Sequence, residues 1–131
     1  MMRAKQVSLF LENRPGRLKA ALEALSAAGI DIRTLSIAES LDFGVARMIL
    51  ADTERGMRAL REAEFTASVV EVLAVEIPHR PGGFLEAIVA PLTAAGVNIE
   101  YAYAFTEGPA DRALVVLKTS DIAKAESLIG G

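Results

Sequence analysis

The residues best placed to do chemistry sit in a turn that occurs twice. The first copy is Asn13-Arg14-Pro15-Gly16-Arg17-Leu18 and the second is His79-Arg80-Pro81-Gly82-Gly83-Phe84. Each follows an apolar run of strand type and precedes an apolar run of helix type. Pro and Gly at such a junction expose backbone N–H groups that have no partner inside the helix, here those of Gly16, Arg17 and Leu18 or of Gly82, Gly83 and Phe84. They stand at the positive end of the helix dipole, which suits an anion such as a carboxylate. Arg14, Arg17, His79 and Arg80 add positive charge, and Asn13 offers both a donor and an acceptor. A second landmark also repeats: Gly29-Ile30-Asp31-Ile32 against Gly96-Val97-Asn98-Ile99. Asp31 can accept an ammonium and Asn98 either group. Carboxylate at the amides and ammonium at the Asx side chains describe an α-amino acid. The plainer reading is that Pro and Gly start a helix and that Asx follows a glycine turn. Duplication copies structure as readily as function.

Other chemistry finds little support. His79 is the only histidine and there is no cysteine, so thiol catalysis, disulfides and Cys-ligated metals are excluded. No Ser, Cys or metal partner accompanies His79 as a catalytic constellation requires. Asp42-Phe43-Gly44 matches a kinase tripeptide, but the other kinase parts are missing and it reads as a turn. Tyr101, Tyr103 and Phe105 line one strand face with Val97 and Ile99. Core or subunit contact suits them better than base stacking, because the chain carries net charge −3 and a pI of about 5.2 and gives nucleic acid no electrostatic hold. No cofactor is expected.

Period and punctuation place these residues on elements. Gln6–Leu11 alternates, with Val7, Leu9 and Leu11 on one face. Arg17–Ala28 carries Leu18, Ala21, Leu22, Leu25 and Ala28 at helical spacing, and Gly29 ends it. Strands are expected over 30–38 and 45–51, around a turn at Ser40–Gly44. A helix follows to about Glu64, capped by Asp52 or Thr53 with Met57 and Leu60 inward. Ser68–Ile77 contains no Gly, Pro or Asn, so the last strand of the first repeat runs straight into the first strand of the second. That predicts two domains, 1–73 and 74–131, held in a fixed relation without a flexible linker. The second repeat continues with a helix over 84–95, kinked at Pro91, which cannot donate to the Ala87 carbonyl. Strands over 97–105 and 113–118 follow, then a helix capped by Ser120.

The first repeat is thus βαββαβ and the second βαββα, with its last strand absent. Interleaved βαβ units with helices on one face of an antiparallel sheet give a ferredoxin-like α+β fold. The strands over 45–51 and 113–117 are apolar on both faces, so the face without helices needs a cover, and the absent strand leaves an edge. A homodimer is expected. The chain of 131 residues is 52% hydrophobic with mean hydropathy +0.34, rich for repeats of about 65 residues that are marginal alone. Its start meets a strand without a signal-peptide core, and the charge-free stretch Ala87–Ile99 is too short to span a bilayer. A soluble cytoplasmic protein is expected.

Asn13-Arg14-Pro15-Gly16 with Gly29-Ile30-Asp31-Ile32, and His79-Arg80-Pro81-Gly82 with Gly96-Val97-Asn98-Ile99, resemble ACT domains. Glu12–Gly16 resembles the serine-binding regulatory domain of bacterial phosphoglycerate dehydrogenase. The whole chain is similar to small stand-alone tandem ACT proteins. The resemblance implies a non-catalytic regulatory module that binds an amino acid between paired domains and acts allosterically on a partner enzyme of amino-acid metabolism. It implies that the Asn of one Pro-Gly turn and the Asx of a facing domain hold the ligand. Here those positions are Asn13 and His79, and Asp31 and Asn98, so only Asn13 facing Asn98 restores an Asn pair. The alternative is a structural or adaptor protein that contacts an enzyme without a small ligand; a small enzyme is a minor third option.

Overall fold

A computed structural model describes residues 2–40, 42–106 and 112–129. Leu41, expected in a turn, lies outside the described residues, as does the side chain of Phe105. The strands are β1 (Met2–Glu12), β2 (Ile32–Glu39), β3 (Phe43–Leu50), β4 (Thr66–Pro78), β5 (Ile99–Thr106) and β6 (Arg112–Thr119). In one sheet segment the order is β2-β3-β1, in the other β4-β6-β5 with the start of β1 beside β4. The helices are α1 (Arg17–Ala27), α2 (Thr53–Glu62), α3 (Ala90–Ala94, continuing a π-helical stretch over Leu85–Val89) and α4 (Ile122–Ile129). Among the described residues no helix is long and apolar enough to cross a membrane.

The chain forms two compact units, Lys5–Val70 and Met1–Ala4 with Glu71–Gly131. In the first, Val7, Leu9 and Leu11 of β1 and Ala46, Met48 and Leu50 of β3 are buried with Ala21 and Leu25 of α1 and Met57 and Leu60 of α2. The alternation in β1 and the helical spacing in α1 produce this core directly. Gly29 has φ +72°, and the Ile30 amide reaches back to the Leu25 carbonyl (3.0 Å), closing α1 as a left-handed cap does. The second unit repeats the design. Leu73, Val75 and Ile77 of β4 and Val115 and Leu117 of β6 pack with Ile88, Leu92 and Ala125, and the Val97 amide reaches the Leu92 carbonyl (2.9 Å).

Four expectations need correction. The place beside β4 that a last strand of the second repeat would take is not bare: the start of β1, which belongs to that unit, lies there. There Arg3 pairs with Glu71 (3.1 Å) and Glu126 (3.2 Å); the hydrogen bond to Glu126 raises the Arg3 pKa above its ordinary value. The disturbance expected at Pro91 falls one turn earlier, as a π-helical stretch where the Ala90 amide donates to the Leu85 carbonyl five residues back. The wider turn accommodates a ring that would strike an α-helical carbonyl. Asp121, not Ser120, caps α4, accepting from the Lys124 amide (3.0 Å), while the Ser120 hydroxyl accepts from the Asn98 amide (3.0 Å). Finally, the register shifts between Ile99 and Tyr101. Val97 and Ile99 therefore join the core, whereas Tyr101 and Tyr103 face the same way as Lys118 and Val116.

Candidate functional site

Each Pro-Gly turn roofs a small pocket formed by the end of one strand, the start of the following helix and the edge strand of its unit. Gly16 (φ +92°) and Gly82 (φ +78°) take the left-handed conformation that glycine adopts without steric cost. Their carbonyls accept the first helical bonds, from Ala20 (3.0 Å) and Glu86 (2.9 Å). Beneath the first turn, Leu11, Glu12, Asn13, Arg14 and Leu18 face Ile37, Glu39 and Gly44 across about 250 Å³. Beneath the second, Ile77, Pro78, His79, Arg80 and Phe84 face Ala104, Ala113 and Val115 across about 330 Å³. Pro15, Gly16 and Arg17, like Pro81, Gly82 and Gly83, set the turn without lining the pocket.

The electrostatics differ from the sequence expectation. Glu12 bridges the two arginines of the first turn, 3.1 Å from Arg14 and 3.6 Å from Arg17. Arg17 also lies over the Phe65 ring, 4.7 Å from its centroid, within cation–π range. Arg80 pairs with Glu86 at 2.9 Å. The amides are partly used as well: Gly83 donates to the Arg80 carbonyl (2.9 Å), and Arg17 makes a long bond to the Arg14 carbonyl (3.5 Å). The amides of Gly16 and Leu18 have no partner among the described residues. Asn13 is anchored across the mouth: its backbone amide donates to the Asp42 carbonyl (2.9 Å) and its side-chain Nδ2 to the Ser40 carbonyl (3.3 Å). Glu12 and Glu86 were legible as neighbours of the turn, but nothing in their spacing said that they would fold back onto its arginines.

Asp31, Ile32, Asn98 and Ile99 sit elsewhere. Glu12 stands opposite Phe43, whereas the Asp31 carbonyl accepts from Ala51. Those partners are eight residues apart (51 − 43), or roughly 26 Å of strand. In the second repeat Pro78 stands opposite Arg112 and the Asn98 carbonyl accepts from Ser120, again eight residues away (120 − 112). Turn and Asx thus occupy opposite ends of each repeat. Asp31 and Ile32 line a separate depression with Leu22, Ser26 and Gly29. Each first helix is tied down at that end, by Arg55 donating to the Ala28 carbonyl (2.6 Å) and Lys124 to the Ala95 carbonyl (2.9 Å). Among the described residues no group of three acidic, His or Cys side chains could hold a metal.

Comparison with known proteins agrees with the duplicated geometry. The sequence profile of the ACT domain pair matches residues 2–130. The crystal structure of protein BT0572 from Bacteroides thetaiotaomicron is similar at TM-score 0.92 and 36% identity, covering 98% of this chain and 88% of that one. The ligand-free regulatory subunit of aspartate kinase from Thermus thermophilus is similar at TM-score 0.67 and 16% identity, covering 99% and 94%. The corresponding subunit from Thermus flavus is similar at TM-score 0.66 and 18% identity, covering 96% and 88%. The two subunits are alike in fold. None of the curated proteins matches the chain.

Proposed function

Because the chain belongs to the ACT domain pair family, whose domains are regulatory ligand-binding modules, we propose that it is a non-catalytic sensor of an L-amino acid. The observation that carries this reading is the pocket beneath each Pro-Gly turn. In each, residues of the repeated turn meet an apolar wall. The ligand acts by differential affinity: held by groups from two facing repeats, it favours one arrangement, and a partner enzyme that recognises that arrangement is regulated. Since turn and Asx lie at opposite ends of a repeat, Asn13 and Asn98 reach one ligand only where two repeats run against each other. We place that meeting in a cytoplasmic homodimer. Phe10 and Phe43, 50% and 59% exposed, are apolar surface that such a dimer would cover.

A thermal-shift screen against the L-amino acids tests the reading. Ligand at 100 times Kd adds about 2.7 kcal/mol, a rise of several degrees. No shift with any amino acid, on protein stripped of carried-over ligand, refutes it. Light scattering at micromolar concentration checks the dimer, and a monomer overturns that part. A second reading, an adaptor with empty turns, is favoured by the pairing of Arg14, Arg17 and Arg80 with carboxylates of their own turns. Saturable amino-acid binding that Asn13→Ala abolishes excludes the adaptor.

A further inference from the structure

The two turn pockets are not equivalent, and their difference specifies a ligand class for one of them. This inference rests on the amino-acid reading above. In the first pocket the edge strand contributes Ile37, and the carboxylates of Glu12 and Glu39 share the lining with Asn13. In the second, Ala104 stands where Ile37 stands (104 − 37 = 67, the offset between Gly29 and Gly96), and Pro78 stands where Glu12 stands (78 − 12 = 66, the offset between the prolines). A branched side chain and a carboxylate have gone from the lining. The space rises from about 250 to about 330 Å³, crossing the roughly 300 Å³ at which small-molecule pockets begin.

What remains is an apolar pocket with a basic rim. Ile77, Ala113 and Val115 are buried at its base, and Phe84 and Ala104 are exposed at its walls. Among the described residues no carboxylate lines it. Glu86 engages Arg80 through Nη2, which leaves other guanidinium donors for an anion. A polar side chain reaching the base, among Ile77, Ala113 and Val115, would lose its water without gaining a partner there.

We propose that the pocket beneath the second turn binds the side chain of a branched aliphatic or aromatic L-amino acid, with its carboxylate at Arg80, and that the first pocket receives neither the side chain nor the carboxylate. The two carboxylates of the first pocket repel a ligand carboxylate, and Ile37 occupies the room a side chain needs.

The test is calorimetric titration of the full, ligand-free chain with L-leucine, L-isoleucine, L-phenylalanine, L-serine and L-aspartate. The three apolar amino acids bind and the polar two do not. Ala104→Ile restores the bulk of the first pocket and weakens binding at least about tenfold. Ile is a good strand former at this exposed position on the edge strand, and circular dichroism confirms folding. With the unmodified protein, L-leucinamide keeps the side chain but lacks the carboxylate, and binds at least about tenfold more weakly than leucine. If serine or aspartate binds instead and Ala104→Ile has no effect, the inference is wrong while the amino-acid reading stands. Equal affinity for leucine and leucinamide removes Arg80 from the proposal and overturns it. If no amino acid binds, both readings fall.

Discussion

Gly83→Ala should destabilise the second turn, against the usual benefit of replacing glycine in a helix. A Cβ at Gly83 would lie 2.2 Å from the Pro78 carbonyl oxygen. That atom is backbone at the end of β4, held opposite Arg112, so no side-chain rotation relieves the overlap. To reach even 3.0 Å, the helix start or the strand end must move by about 0.8 Å (3.0 − 2.2). Overpacking of this kind costs about 1–3 kcal/mol. The gain from Ala over Gly in a helix offsets about 0.5–1 kcal/mol. The net loss of up to about 2.5 kcal/mol lowers Tm by up to roughly 10 °C, taking roughly 4 °C per kcal/mol for a chain of this size. The equivalent residue in the first turn is Arg17 (83 − 66), so the first turn accommodates a side chain there. Gly16→Ala is the contrasting control: nothing lies within 4 Å of its Cβ, but φ is +92°, and the left-handed backbone costs about 1–2 kcal/mol. Urea and thermal unfolding of both variants measure the effects. A Gly83→Ala protein that melts higher than the parent refutes the close approach.

Leu25→Ala and Leu92→Ala remove fully buried side chains from separate cores. Each should cost about 2–5 kcal/mol, and the double variant should be additive within about 0.5 kcal/mol; larger coupling by urea titration contradicts two independent clusters. Asp121→Ala should cost about 1 kcal/mol by loss of the α4 cap, as should Asp52→Ala for α2, where the carboxylate accepts from the Arg55 amide; equal stability of either variant rejects that cap. Arg3→Ala should weaken amide-exchange protection around Glu71, with a smaller effect at 1 M salt, because the pairs of Arg3 are exposed and screened. Unchanged protection at low salt rejects the role given to Arg3.

The duplicated turn, the core faces and most elements were legible because local rules set them. Leu18, Leu25, Met57 and Leu60 recur at helical spacing, Val7, Leu9 and Leu11 alternate, and glycines mark the turns. What escaped was non-local or a question of one residue. Nothing near Arg3 says that its partners lie at Glu71 and Glu126, because strand order is a property of the assembled sheet. The register shifts after Ile32 and Ile99 reverse which face the following residues take, and alternation counted from Val97 cannot detect them. Pro91 announced a disturbance but not that a π-helical stretch would absorb its missing donor one turn earlier. At the turns, the residue types were visible and their pairing was not: Glu12 and Glu86 read as ordinary surface charge until their distances to the arginines are known.

The placement of the first few residues of β1 bears on how the chain is made. Lys5–Val70 is contiguous, so all its parts have left the ribosome before the second core exists as polypeptide. The second unit instead joins residues far apart in the chain: Arg3 meets Glu126 across 123 positions. Closing so long a loop is a slow, high-contact-order event, and until it happens the flank of β4 lacks its neighbour. That interval is when a nascent chain is most exposed to pairing with another copy.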